Sequence, residues 1–282
     1  MPEAFVLTLS CPDDVGIVHA VTGFLVERRA NITEAAQYND AATGLFFMRV
    51  GFDVAGAALA DLRRDFAPLA ERVRMTWGLF AADERLPAVI MVSRLGHCLN
   101  DLLFRHRSGL LPIDIRAIVS NHRDFYQLAA SYDIPFHHLP VTPASKLQAE
   151  ERLLEIVAAE KIELVVLARY MQVLSQDLCE RLAGRAINIH HSFLPSFKGA
   201  RPYQQASDRG VKLIGATAHY VTADLDEGPI IEQDIARVDH TMDAARLTAI
   251  GRDIESAVLA RAVLWHAERR VLVDGRKTVV FR

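Results

Sequence analysis

Ala186-Ile187-Asn188-Ile189-His190-His191-Ser192-Phe193-Leu194-Pro195-Ser196-Phe197-Lys198-Gly199-Ala200-Arg201-Pro202 runs a short apolar strand straight into polar groups and a loop punctuated by proline and glycine. Alternate residues of a strand face the same side, so Asn188 and His190 are expected to project together from the end of a sheet. An amide donor beside an imidazole suits holding a carbonyl oxygen while charge builds on it. The tripeptide alone fits at least as well a strand end whose polar residues merely cap a loop.

Upstream of this strand, short apolar segments alternate with helical ones. Val89–Val92, Ile113–Val119 and Glu163–Ala168 read as strands; Cys98–His106, Asp124–Tyr132, Ser145–Glu160 and Gln176–Ala183 read as helices. That rhythm predicts an α/β fold with a mostly parallel, doubly wound sheet. Ligands of such sheets bind beyond the carboxyl ends of the strands. The clusters Ser93–His97, Ser120–His122, Arg169–Met171 and Asn188–Pro202 should therefore converge on one edge. No G-x-G-x-x-G follows the first strand and no P-loop occurs anywhere, which removes the main support for dinucleotide or nucleotide binding. Downstream, Pro202–Arg209 reads as a helix. Leu213–Thr222 and Ile230–Val238 read as strands extending the sheet antiparallel, with Asp224–Pro229 turning between them. Leu247, Ile250, Ile254, Val258 and Ala262 mark a packing helix over Asp243–Glu268, and a hairpin around Asp274-Gly275 closes the chain.

The first eighty residues follow another pattern. Phe5–Ser10, a helix from Ile17, a hairpin over 32–52, a helix over 57–71 and a strand over 73–80 give βαββαβ, a ferredoxin-like unit. The expected organisation is a domain at 1–80, a linker at 81–87 (AADERLP) and a second domain at 88–282.

The 282 residues carry a net charge of −3, 51% hydrophobic and 24% charged residues. This composition argues against an extended nucleic-acid surface. No apolar run reaches the ~20 residues that span a bilayer, and MPEAFVLTLS does not read as a leader, so no membrane partner and a cytoplasmic location are expected. Cys11, Cys98 and Cys179 form no C-x-x-C; a reducing compartment and no metal site are expected. His137-His138 fits either a ligand edge or a solvated loop.

Two resemblances add to this reading. Asp13-Asp14-Val15-Gly16-Ile17-Val18, followed by a helix and then Asn31-Ile32, resembles an ACT domain. This implies self-association into a homo-oligomer, and an amino-acid effector near Asp13, Gly16 and Asn31; a dimerisation module without ligand fits as well. Asn188-Ile189-His190, the Ser192–Gly199 loop and Leu225-Asp226-Glu227-Gly228-Pro229-Ile230-Ile231 together resemble the formyltetrahydrofolate-dependent formyltransferase superfamily over about 87–282. His191, Ala200-Arg201-Pro202-Tyr203 and the N-terminal ACT-like unit resemble its formyltetrahydrofolate deformylase branch. The loop Gly96–Asp101 departs from the phosphate-holding loop of the ribonucleotide enzymes.

The resemblance implies hydrolysis of 10-formyltetrahydrofolate, with Asn188, His190 and Asp226 around the formyl group. Asp226 would orient and deprotonate water, directly or through His190, and Asn188 would donate to the oxyanion. Arg169, Tyr170 and Met171 would hold the pterin, with His137, His191 and Gly228 as further substrate contacts. No tightly bound cofactor is implied, because the folate is the substrate. The alternatives are a formyltransferase to a small amine such as glycinamide ribonucleotide, and an amino-acid sensor with an inactive second domain.

Overall fold

A computed structural model describes residues 3–194 and 202–282. The chain divides into two units, Met1–Glu84 with Glu268–Asp274 and Val279–Arg282, and Arg85–Ala267 with Gly275–Thr278.

The first unit runs β1 (Glu3–Pro12), α1 (Ile17–Glu27), β2 (Asn31–Asp40), β3 (Leu45–Val54), α2 (Leu59–Arg72) and β4 (Thr76–Ala81). Its sheet has the order β2-β3-β1-β4 with every pair antiparallel, the expected ferredoxin-like arrangement. Alternation buries Phe5, Leu7 and Leu9 of β1 against Val21 and Leu25 of α1 and Leu62, Phe66 and Ala70 of α2. Phe66 sets edges against Phe24 and Trp77, with ring centroids 5.0 and 4.9 Å away. Such pairs contribute about 0.5–1.5 kcal/mol each beyond their area. β4 starts three residues later than the expected Val73. The residues between are used by the end of α2, where Arg74 takes a left-handed φ of 56° and the Met75 N–H donates to the Ala70 carbonyl.

The second unit runs β5 (Leu86–Val92), α3 (His97–Arg107), β6 (Ile113–Ser120), α4 (Tyr126–Ala130), β7 (Phe136–His138), α5 (Lys146–Ala159), β8 (Leu164–Leu167), α6 (Gln176–Arg181), β9 (Ala186–His190), α7 (Pro202–Asp208), β10 (Leu213–Tyr220), β11 (Ile230–Arg237) and α8 (Ala244–Ala267). The sheet order is β11-β10-β9-β8-β5-β6-β7. β5 to β9 are parallel, and β10 and β11 extend the sheet antiparallel, as expected. Central strands are apolar throughout because both faces are covered. Val89, Met91, Val165, Leu167 and Ala186 face Leu153, Ile156 and Val157 of α5 and Leu178 of α6. On α8, Leu247, Gly251, Glu255, Val258 and Ala262 are buried, so a carboxylate sits in the middle of the packing stripe.

Three expectations need correction. The linker is shorter than 81–87, because Ala81 ends β4 and buried Leu86 opens β5, its N–H donating to the Pro112 carbonyl. β7 was not anticipated. At three residues it is too short to show a period, and it forms because Pro135 and Phe136 continue the β6 ladder. Finally, 88–282 does not hold as one domain. The closing hairpin is present as β12 (Val271–Asp274) and β13 (Lys277–Val280), but Glu268–Asp274 and Val279–Arg282 group with the first unit. There the buried Arg49 donates to Glu34 at 2.7 Å and to the Glu268 carbonyl at 3.1 Å, and Arg270 donates to Glu34 at 2.8 Å. A buried guanidinium needs those acceptors. Among the described residues no helix is long and apolar enough to cross a membrane.

Candidate active site

The order of the parallel strands reverses between β5 and β8, so the loops after these strands diverge, and β9 and β10 continue on the β8 side. A cavity of about 250 Å³ opens beside the ends of β8, β9 and β10, lined by residues 169–174, Asn188, His190, His191, His219 and Asp226. The ladder explains the grouping. Asn188 lies opposite Leu167 of β8 on one side and His219 of β10 on the other, and His190 lies two residues on, opposite Thr217. Asp226 reaches the same place from the β10–β11 turn, where it holds a left-handed φ of 58° that aspartate tolerates better than most residues.

The His190 Nδ1 stands 3.2 Å from the Asp226 Oδ2, and the His219 Nε2 stands 3.7 Å from the Oδ1. Burial pushes the Asp226 carboxyl up, but the hydrogen bond it accepts from His190 outweighs this and holds it well below the usual carboxylate range. Asp226 is therefore a fixed negative charge. With the His190 Nδ1–H on Asp226, the ring's open acceptor is Nε2, which is buried and has no hydrogen-bond partner among the described residues. His191 stacks on His190 with centroids 4.9 Å apart.

His219 was not picked out in the sequence. Its Nδ1–H donates to the Tyr220 carbonyl at 2.8 Å, which leaves Nε2 to accept from the Asn188 Nδ2 at 3.2 Å. That contact fixes which end of the Asn188 amide carries its donors. The signal was a histidine near the end of a strand expected to extend the sheet antiparallel; its pairing with β9 and the register needed to use it were not legible.

Gly228 does not line the cavity. A Cβ built there would fall 1.7 Å from the Tyr220 carbonyl oxygen, so glycine is needed for the turn to pass the carbonyl that holds His219. His137 is also outside the lining. It sits on β7, opposite Val119 at the far edge of the sheet, three strands beyond β8. Arg169, Tyr170 and Met171 all line the cavity. Tyr170 is largely core, and burial raises its phenol to about 12, whereas Met171 is exposed. Arg169 is buried with a left-handed φ of 64°, a conformation costing about 1–3 kcal/mol in a non-glycine residue. Pro195–Gly199, Ala200 and Arg201 lie outside the described residues.

In the first unit, Asp13 and Asn31 are exposed, and Asp13 accepts from the Asn39 amide. Gly16 has a φ of 94° where α1 begins, so the turn by itself demands glycine there.

Residues 87–263 match the formyl transferase family model. The chain is 53% identical to formyltetrahydrofolate deformylase of Corynebacterium sp. strain P-1 over 98% of both chains. It is 49% identical to that of Bacillus subtilis, over 98% of this chain and 93% of the relative. The chain belongs to the formyltetrahydrofolate deformylase family. The crystal structure of the Burkholderia mallei formyltetrahydrofolate deformylase superposes with a TM-score of 0.96 at 54% identity, covering both chains fully. Glycinamide ribonucleotide transformylase 1 of Symbiobacterium toebii gives 0.66 at 29% identity over 72% of this chain and 97% of its own.

Proposed function

We infer that the chain is a hydrolase that converts 10-formyltetrahydrofolate and water to tetrahydrofolate and formate. The observation that carries this reading is the reach of the similarity. Deformylases align over essentially the whole length, whereas the transformylase matches 72% of this chain.

The geometry suits the chemistry. The His190 Nε2 takes a proton from water as the water oxygen bonds to the formyl carbon, and Asp226 on Nδ1 holds the ring and offsets the charge it gains. Asn188 donates to the oxyanion, with its amide turned by His219. Collapse breaks the bond to the folate nitrogen, which receives the proton back from His190. Asp226 thus works through His190 rather than as the base itself, because a carboxyl held so acidic is a poor proton acceptor. The backbone of 169–174 forms the wall for the pterin, and His191 flanks the reacting group.

No resident cofactor is required, since the folate arrives as substrate. Formate and tetrahydrofolate feed purine synthesis and rebalance one-carbon pools. The first unit serves as an ACT domain that builds a homo-oligomer and takes an amino-acid effector near Asp13, Gly16 and Asn31, a role supported by its ferredoxin-like topology. Three free, buried cysteines suit the reducing cytoplasm.

The test is formate release from 10-formyltetrahydrofolate by the purified protein, with and without an amine acceptor and with free amino acids. Release without acceptor is expected; strict dependence on an amine overturns the hydrolase reading.

A further inference from the structure

Glu255 lies in the middle of α8 with 1% of its surface exposed, yet it carries a charge. Its Oε2 is 2.8 Å from the His97 Nε2 and 3.3 Å from the Arg169 Nε, and its Oε1 accepts from the Tyr203 hydroxyl at 2.5 Å. Burial pushes its carboxyl up, but His97, Arg169 and Tyr203 together bring it below the ordinary value. A carboxylate is hidden this completely only when its partners surround it.

Those partners come from a functional place in the fold. His97 opens α3 after β5, and Arg169 follows β8, so both belong to the loops that part where the strand order reverses. The backbone beside Arg169 is gripped from the other side as well. Its carbonyl accepts the Ser93 N–H at 3.2 Å, the Met171 N–H donates to the Ser93 Oγ at 2.9 Å, and that hydroxyl donates to the Asn121 Oδ1 at 2.8 Å. Ser93 and Asn121 are both buried. Residues 169–174 therefore start from a left-handed arginine held at the main chain by hydrogen bonds to Ser93 and at the side chain by an ion pair with Glu255. Beyond Arg169, Met171 and Val173 are exposed, presenting apolar side chains along the cavity.

The His97, Cys98 and Glu255 ligand atoms lie within 4.8 Å of one another, a spacing that also suits a metal. The Arg169 guanidinium already supplies the positive charge, and burial pushes the Cys98 thiol up, away from the thiolate a metal would bind.

We propose that Glu255 is a positioning residue for the folate-facing wall: by anchoring Arg169 it keeps the backbone of 169–174 in the shape the substrate packs against. The proposal rests on reading the cavity as the formyltetrahydrofolate site. Glu255 touches no reacting atom, so its removal acts on binding more than on chemistry.

The experiment is steady-state kinetics on the full chain with 10-formyltetrahydrofolate, together with melting temperatures and metal content. For Glu255→Gln, KM rises about tenfold while kcat stays within about threefold, the pattern of lost ground-state binding. Tyr203→Phe removes one hydroxyl from a carboxylate that keeps its other partners, and serves if the first variant does not fold; its KM rises in the same direction by about two- to threefold. An unchanged KM in the folded variants, including one accompanied by a lower melting temperature, overturns the positioning role, as does a stoichiometric metal lost with Glu255→Gln. If the wild-type chain releases no formate, the reading of the cavity fails; if it does and KM does not move, the positioning role alone fails.

Discussion

In the second unit, half-buried Asp226 and buried Glu255 each lie beside two basic groups, and the two clusters differ in whether a proton acceptor is left open. Around Asp226, His190 supplies the hydrogen bond and the His219 ring stands 3.7 Å away, and the ring nitrogen of His190 farther from Asp226 has no partner among the described residues. Around Glu255, His97, Arg169 and Tyr203 occupy both oxygens. The first cluster retains a group able to accept a proton and faces a cavity. The second has its carboxylate engaged on every side and can only hold things in place. A buried charge therefore does not by itself mark a catalytic residue: Arg169 beside Glu255 also keeps an Nε with no hydrogen-bond partner among the described residues, but that is a donor, whereas His190 offers an open proton acceptor at the cavity.

That contrast can be broken most decisively at His190. His190→Ala is expected to lower kcat for formate release by about 10²–10⁴-fold in a protein with unchanged circular dichroism, since general acid-base help is worth that much. Retention of near-normal turnover would remove the distinction between the clusters. Asp226→Asn should fall in the same range, because the ring loses its orienting charge.

Asn188→Ala comes next, with about 10²–10³-fold lost from kcat and little change in KM, the signature of a donor used in the transition state. A rise in KM alone would move Asn188 from the oxyanion to substrate binding. Smaller again is His219→Ala, where the amide loses the acceptor that orients it. Roughly tenfold in kcat/KM is expected, about one hydrogen bond's worth.

The smallest effect concerns acid stability. Asp226 and Glu255 are both held below their ordinary values of 3.8 and 4.5. Groups depressed on folding stabilise the native state above those values, and that contribution is lost as the pH falls through the folded-state values. Melting temperatures of wild type and Glu255→Gln should therefore converge as the pH drops below 4.5, and a constant gap would show that the ionised form contributes nothing.

Much of this was legible in the sequence. The alternation of short apolar strands with helices predicts the parallel sheet, and the strand-ending pair Asn188 and His190 does project into the cavity beside Asp226. What escaped was set by contacts between distant positions. His219 matters through its register opposite Asn188. Glu255 was hidden inside a helical stripe, because periodicity identifies a buried face but not the partners waiting for a carboxylate at 97, 169 and 203. The closing hairpin was found at the right residues, yet its grouping with the first unit depends on Arg49 and Glu34, more than two hundred residues away.

The tight passage at Gly228 bears on how this site tolerates change. The turn carrying Asp226 rests on the Tyr220 carbonyl with no side chain between. The gap between acid and imidazole is gauged there by the thickness of two main chains, a dimension that repacking of neighbouring side chains does not alter. One added methyl at position 228 meets the Tyr220 carbonyl and must push aside the turn that sets the acid beside the imidazole.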